Sequence, residues 1–600
     1  MQDLKNLNYE WARFIVEELA RTGVHMFFIS PGARSAPLTA AVAANQRVKT
    51  VVHYDERGAA FCALGYAKST KSPAALICTS GTATANYFPA VIEASYANVP
   101  LIILTADRPP ELIDSGANQT IRQHGLYGEH VRFAITLACP TSSVPPETLL
   151  TAIDDAVRRA LKPKPGPVHI NCPFREPLLF TSKPESYPVR SKNSRQWQSG
   201  TAPFTTWLPH ATNVSSLPID KEVQEIADSL SKTQKGLVIA GHLSSRAERE
   251  AVVAIAETIQ WPIFPDICSG LRLGTQHELL FPYYDLVLDS KDWSREFTPD
   301  AVLHVGGALT SKRLLSFLKA SAPKTYLQIC TEISRYDPLG MVTHRIDAEI
   351  PPFVELVLRH VGKKQKKSHR KLYKTVPTRG VPMVQTLSLV VEHKLDELME
   401  EREEITEPAV CRALSKLVPE NHNLFLGNSL PIREMDTFGS NRGSSVSVFA
   451  NRGASGIDGN IATAVGIAKG TSSGVTVLLG DLAFLHDLNS LALLKTIRTP
   501  FVIIVLNNDG GGIFHFLDVA KLRGDFEPYF VTPHGMTFSP AADLFDLGYF
   551  CPKTLTEFRK IYQKMSAAPH ASIIEVRTNR EETVKIHERW RTEILRALPR

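Results

Sequence analysis

Apolar and polar positions along the first 180 residues switch between two periods. VHMFFIS, VVHYD, AALICTS, PLIILTA and GPVHINCP are short β-branched or aromatic runs, each closed by a turn-forming cluster and separated by helix-period stretches. Strands alternating with helices predict a parallel α/β sheet. The N-terminal MQDLKNLNYEWARFIVEELA spaces its apolar residues for an amphipathic helix. It carries acids and lacks the apolar core of a signal peptide. The alternation returns twice more, with GLVIAGH, AVLHVGG and KTYLQIC, and then with NLFLGNS, SVSVFAN, VTVLLGD, FVIIVLNN and SIIEVRT.

The expected fold class is therefore α/β, with three consecutive domains and mostly parallel sheets. The first covers 1–185. A Ser-, Thr- and Pro-rich stretch without period, 186–216, reads as a linker. A central Rossmann-like domain spans 217–362, a basic and helical connector 363–406, and the third domain 407–600. In such sheets ligands bind beyond the carboxyl ends of the strands. That singles out the turns Pro31-Gly-Ala-Arg34, Asp55-Glu-Arg57, Ser80-Gly-Thr82 and Asp107-Arg-Pro109.

Composition narrows the function. The chain has 600 residues, 43% of them apolar, enough for several independent cores. Lys plus Arg exceeds Asp plus Glu by 67 − 61 = 6, which over this length gives no general attraction to nucleic acid or membrane. The dense basic run KKQKKSHRK at 363–371 reads as a solvated linker. No segment reaches the roughly 18 continuous apolar residues that span a bilayer. Eight scattered cysteines without CxxC or zinc-finger spacing read as reduced core residues of a soluble, cytoplasmic protein.

GxxxxGK[ST], strand-borne GxGxxG, HExxH and GxSxG are all missing, which argues against a P-loop NTPase, a Rossmann dehydrogenase, a zincin and an α/β hydrolase. Oxygen-ligand chemistry remains in the third domain. Asp481 offers a carboxylate, Asn508 an amide oxygen and Gly510, in a run of three glycines, a bare backbone carbonyl. Such a set suits a hard octahedral cation such as Mg²⁺, with sites left for phosphate oxygens. Backbone N–H groups near Gly480 would face the same anion. A diphosphate held through a metal is one ligand this fits; a βαβ crossover with an Asp cap and an Asn-Gly turn carries the same residues.

GD, then 27 residues from Asp481 to Asn508, with the second Asn closing an apolar strand, resembles the thiamine-diphosphate-binding motif. Such enzymes also need a glutamate that shares a proton with the cofactor's pyrimidine ring, a role a carboxyl sheltered from water can fill. Glu56, after VVHYD and before a helical stretch, stands at the corresponding place; a lone residue there is more often a helix-capping acid.

SPGARSAPLTAA, HYDERGAAFCALGYAK, TSGTATANYFPAVIEA, LTADRPPELIDSGANQTIRQ, GNSLPIREMD, ANRGASGIDGNIATAVGIA and GDLAFLHDLNSLALL together resemble the 2-succinyl-5-enolpyruvyl-6-hydroxy-3-cyclohexene-1-carboxylate (SEPHCHC) synthase family. The match covers the first and third domains well and the central one weakly, through ALTSKRLL. It implies thiamine-diphosphate-enzyme architecture, with a pyrimidine-binding first domain and a diphosphate-binding third one. It implies thiamine diphosphate with Mg²⁺ or Mn²⁺ as cofactors. The implied reaction, in menaquinone synthesis, decarboxylates 2-oxoglutarate and adds its remaining carbons 1,4 to isochorismate. Another thiamine-diphosphate 2-oxoacid decarboxylase, or an acetolactate-type carboligase, is the alternative.

Both substrates carry two carboxylates, which calls for bidentate cations. By motif, Arg34, Arg108, Gln119, Lys312, Arg313, Ser429, Arg433 and Arg452 are implied to line the substrate cavity. Pro31, Ser80, Gly480, Leu482, Asp481, Asn508 and Gly510 are implied at the cofactor, with Ile457 wedging it into a bent form and Ile513 and Phe514 forming an apolar wall. Glu56 is implied as the proton relay, and Asp481, Asn508 and Gly510 as the metal ligands. Two residues depart from the pattern: Ala33 replaces the first Ser of PGSRS, and Leu482 replaces the Gly of GDG. The resemblance also implies a homodimer or homotetramer in which Glu56 and Asp481 of different chains serve one cofactor.

Overall fold

A computed structural model describes residues 2–178, 192–207, 220–331, 334–367, 380–401, 404–522 and 524–599. Its first sheet comprises β1 (Met26–Ile29), β2 (Lys49–Val52), β3 (Ala74–Cys78), β4 (Leu101–Asp107), β5 (Phe133–Thr136) and β6 (Pro167–Pro173), in the order β2-β1-β3-β4-β6-β5. The second comprises β7 (Gly236–Ala240), β8 (Ile263–Pro265), β9 (Ala301–Val305), β10 (Thr325–Cys330) and β11 (His344–Asp347), ordered β11-β10-β9-β7-β8. The third comprises β12 (His422–Leu426), β13 (Ser447–Phe449), β14 (Gly474–Gly480), β15 (Phe501–Asn507), β16 (Gly548–Phe550) and β17 (Ala571–Arg577), ordered β13-β12-β14-β15-β17-β16.

Pairing in the first two sheets is parallel throughout, and β12–β13, β15–β17 and β16–β17 are parallel in the third. Central strands covered on both faces read as continuous apolar runs; β3, β4 and β15 are buried along their whole length. The winding of each sheet reverses between β1 and β3, between β7 and β9, and between β12 and β14, and β6 and β17 turn back to lie inside β5 and β16. Such switch points leave a crevice beyond the strand ends.

The chain divides into two compact units. One holds residues 1–208, 451–475 and 483–499; the other holds 209–450, 476–482 and 500–600. In the first, Trp11, Phe14, Leu19, Phe27, Ile77 and Leu104 belong to the core. Within the stretch expected to be a linker, Lys192–Ser199 is helical, and its Trp197 is buried against Phe14, ring centroids 5.5 Å apart. Residues 186–191 and 208–216 lie outside the described residues, as do 368–371 and the side chains of 363–367 in the basic run. The backbone helix Ile350–Lys367 enters that run.

The helices Glu56–Thr70 and Asn460–Thr471 pack together within the first unit. A Cβ on Gly65 would lie 1.9 Å from the Thr463 carbonyl oxygen, and one on Gly466 2.0 Å from that of Cys62. Hydrogen at these positions lets the two backbones touch. None of the eight cysteines is in a disulfide, and seven of them are buried.

Candidate active site

In the first unit, the turns after β1 and β3 meet at the switch point. Arg34 N donates to Thr79 Oγ1 at 3.3 Å, and a Cβ on Gly32 would lie 2.3 Å from Thr79 Cβ, which explains the glycine after Pro31. Ser80 and Gln119 are brought together: Ser80 Oγ donates to the Gln119 carbonyl at 3.0 Å, and Gln119 Nε2 donates to that of Ser80 at 2.9 Å. Gln119 has φ +56°, so the fixed pair holds a strained residue, as functional turns often do.

Arg34 is buried. Its Nη1 donates to the Phe174 carbonyl at 2.9 Å and its Nη2 to Glu176 Oε1 at 2.8 Å. Arg108 Nη1 stands 3.6 Å from the same oxygen. The buried Nε atoms of both arginines have no hydrogen-bond partner. Behind them, Asp107 accepts from Asn171 Nδ2 at 2.7 Å and from the Arg108 N–H at 2.7 Å; burial raises its carboxyl above the usual range while Arg34 opposes the shift.

Glu56 opens its helix behind the cap Asp55, whose side chain accepts from the Gly58 N–H. Glu56 Oε2 accepts from Asn86 Nδ2 at 3.1 Å. Arg452 and Ile457 flank a turn pinned by the buried Glu93, which accepts from the N–H groups of Gly453 at 3.0 Å and Ala454 at 2.6 Å. Lys68 bridges Glu93 and Asn451 at 3.1 and 2.8 Å.

In the second unit, Asp481 follows β14 and Asn508 follows β15, on neighbouring strands. Asp481 is buried. Its Oδ1 accepts from the Leu482 N–H at 2.7 Å; its Oδ2 accepts from the Gly510 N–H at 2.8 Å and lies 3.2 Å from His534 Nε2. Burial raises its carboxyl, against these hydrogen bonds. Asn508 Nδ2 donates to Glu407 Oε1 at 3.0 Å, leaving the buried Oδ1 without a partner.

Gly510 has φ +127°, and a Cβ there would lie 2.2 Å from the Val531 carbonyl oxygen; one on Gly512 would lie 2.6 Å from Asn508 Nδ2. Beside Gly480 the space is open, with nothing within 4 Å of where a Cβ would stand. An orphaned amide oxygen, a carboxylate with remaining lone pairs and a backbone carbonyl form an oxygen donor set for a hard cation, next to room for an anion. These residues fit a metal-held diphosphate. Ile513 and Phe514 lie in the short helix Gly512–Phe516, and Phe514 packs edge-on against Phe530 at 5.9 Å.

Ser429 caps the helix Leu430–Phe438 with φ +74°, and its carbonyl accepts from Arg433 Nη1 at 2.6 Å. Lys312, exposed, and Arg313 open the helix Lys312–Ser321. Arg313 is committed to acids of its own unit, with Nη1 2.6 Å from Asp285 Oδ2 and Nε 3.3 Å from Asp289 Oδ1.

Models of the thiamine pyrophosphate enzyme N-terminal TPP binding domain, middle domain and C-terminal TPP binding domain match residues 10–128, 191–426 and 438–576. A SEPHCHC synthase of Rubrobacter xylanophilus is 44% identical over 97% of this chain and 97% of its own length. The chain belongs to the SEPHCHC synthase family. The synthases of Chlorobium phaeobacteroides and Salinibacter ruber are 43% and 42% identical, over 98% and 99% of this chain and 97% and 98% of theirs. As a SEPHCHC synthase-family chain it is a thiamine-diphosphate enzyme of three α/β domains.

Glu407, His534, Glu93 and Glu176 escaped the sequence reading of this family's site. A buried Asn needs an acceptor for its amide NH₂, but nothing in the sequence marks Glu407, 101 residues from Asn508, as that acceptor.

Proposed function

We propose that the chain decarboxylates 2-oxoglutarate and adds the remaining four-carbon unit 1,4 to isochorismate, releasing CO₂ and forming SEPHCHC. The observation that carries this is near-full-length identity to relatives named for that product, in a chain whose first unit turns two arginines toward one carboxylate. Thiamine diphosphate, when bound, supplies a nucleophilic carbon for the oxoacid carbonyl and takes up the electron pair that CO₂ leaves behind.

This chain's residues would do the rest. Asp481, Asn508 Oδ1 and the Gly510 carbonyl hold Mg²⁺ or Mn²⁺, which anchors the diphosphate. Pro31, Ser80, Gly480 and Leu482 would contact the cofactor, Ile457 would wedge against it, and Ile513 and Phe514 would exclude water. Glu56 carries the proton shared with the pyrimidine nitrogen. Arg34, Arg108, Arg433 and Arg452 would orient carboxylates through paired charge-assisted hydrogen bonds and Lys312 through its ammonium, with Gln119 and Ser429 as uncharged donors; Arg313 would join them on leaving Asp285 and Asp289. The assembly is a homodimer or homotetramer pairing Glu56 of one chain with Asp481 of another. We place it in the cytoplasm, consistent with cysteines that form no disulfide; none of the described helices is long and apolar enough to cross a membrane.

Purified protein with thiamine diphosphate, Mg²⁺, 2-oxoglutarate and isochorismate should release CO₂ and form the adduct. Faster turnover of pyruvate than of 2-oxoglutarate would instead point to an acetolactate-type carboligase.

A further inference from the structure

Glu176 lies outside every motif that points to the site, yet its carboxylate is where Arg34 and Arg108 converge. One oxygen, Oε1, serves both guanidinium groups, at 2.8 Å from Arg34 Nη2 and 3.6 Å from Arg108 Nη1. The pair is lopsided in burial: the Arg34 side chain is 3% exposed, that of Arg108 16% and that of Glu176 70%. The arginines are therefore fixed parts of the wall, while the acid reaches in from solvent.

Arg34 keeps a second anchor in the Phe174 carbonyl, so its position does not depend on Glu176 alone. The buried Nε donors of both arginines remain unused. Two forked cations meeting one oxygen of a solvent-exposed acid leave capacity for a ligand that engages both forks.

We propose that Glu176 is a specificity-determining placeholder: its carboxylate occupies the Arg34–Arg108 fork until a carboxylate of a dicarboxylate substrate displaces it. This rests on the reading that these arginines bind substrate. The placeholder offsets one of the two adjacent positive charges while the site is empty, and it sets a threshold against weak anions, which must compete with it. A mostly exposed acid is a weak partner, so displacing it lowers apparent substrate affinity by about two- to fivefold.

The test compares steady-state kinetics of the wild-type holoenzyme, Glu176→Gln and Arg108→Gln. Glu176→Gln keeps the shape and removes the charge. Its KM for 2-oxoglutarate or for isochorismate should fall about two- to fivefold with kcat within about twofold, and succinate should inhibit it at correspondingly lower concentration. If Glu176 only braces Arg34, the KM rises instead. A raised or unchanged KM for both substrates overturns the proposal. Arg108→Gln separates the two levels: it should raise one KM at least tenfold, and if it changes neither, the substrate-site reading itself fails.

Discussion

Glu407 Oε1 accepts a hydrogen bond from Asn508 Nδ2 at 3.0 Å and another from Thr578 Oγ1 at 2.8 Å, and the Asn508 Oδ1 left over is buried without a partner. Burial pushes the Glu407 carboxyl up to about 7; with any proton on the partnerless Oε2, Oε1 still accepts from both groups, so Glu407 fixes which end of the Asn508 amide faces the proposed metal. Glu407→Ala should raise the Mg²⁺ concentration for half-saturation, measured by thiamine-diphosphate fluorescence quenching, about 10- to 100-fold. Glu407→Gln retains an acceptor and should lie within a few-fold of wild type. Circular dichroism at the assay temperature would show that both variants remain folded. An Ala variant that binds Mg²⁺ like wild type would remove Glu407 from this role.

Asp481 faces its site from a buried position, with Gly510 N–H as one of its donors. A ligand that binds only the folded protein stabilises it by about 2.7 kcal/mol at one hundred times its Kd. Thiamine diphosphate with Mg²⁺ should therefore raise the Tm of the wild type, and chelation of the metal should reverse the rise. Asp481→Ala should show no such increase while folding normally without ligand. Equal ligand-induced shifts in both proteins would rule Asp481 out as the anchor.

Every central strand was legible in the sequence, and so were the edge strands β2 and β13, although both are largely exposed or half-buried. Those missed, β5, β8, β11 and β16, all lie at sheet edges. β5, β11 and β16 are largely half-buried or exposed, and β8 is three residues long, so none yields a sustained apolar run. The site divides the same way. Asp481, Asn508 and Gly510 sit at turns after long strands, where a one-dimensional pattern locates them. His534 and Glu407 reach that cluster from 53 and 101 residues away, from segments whose local sequence suits a loop and a helix start. Glu176 likewise arrives 142 residues after Arg34. Positions fixed by strand ends are readable; the partners that orient them depend on tertiary contact.

The glycines between the Glu56 and Asn460 helices make a separate prediction. Gly466→Ala puts a methyl group 2.0 Å from the Cys62 carbonyl oxygen, a backbone atom that can yield only if a helix moves. Overpacking of this kind costs about 1–3 kcal/mol. Because the displaced helix begins at Glu56, activity should fall more than the stability loss explains when assayed well below the Tm. Urea denaturation with wild-type stability would show that the helices separate freely.

Glu434 and His587 supply a pH dependence next to Glu407, the partner of Asn508. Glu434 Oε1 lies 2.7 Å from His587 Nε2. Burial pushes the Glu434 carboxyl up to about 8 and the His587 imidazole down to about 3. Both groups are thus neutral in the folded protein near pH 7. Between the ordinary carboxyl range and pH 8 the folded chain keeps the Glu434 proton that the unfolded chain releases, so this group's stabilising contribution is lost as pH rises. His587 acts oppositely below the ordinary histidine range, where the unfolded chain takes up a proton the folded one refuses. The two effects offset each other in mildly acidic solution; from about pH 6.5 to 8 Glu434 acts together with Glu407, whose buried carboxyl is pushed up to about 7. Over that window the wild type should lose stability with a slope of at most about 1.4 kcal/mol per pH unit from Glu434. Glu434→Gln, which carries no titratable proton, should make that part of the profile shallower. Urea unfolding curves at pH 6.5 and 8.0 for both proteins measure the difference, and parallel profiles would mean that Glu434 is charged in the folded state.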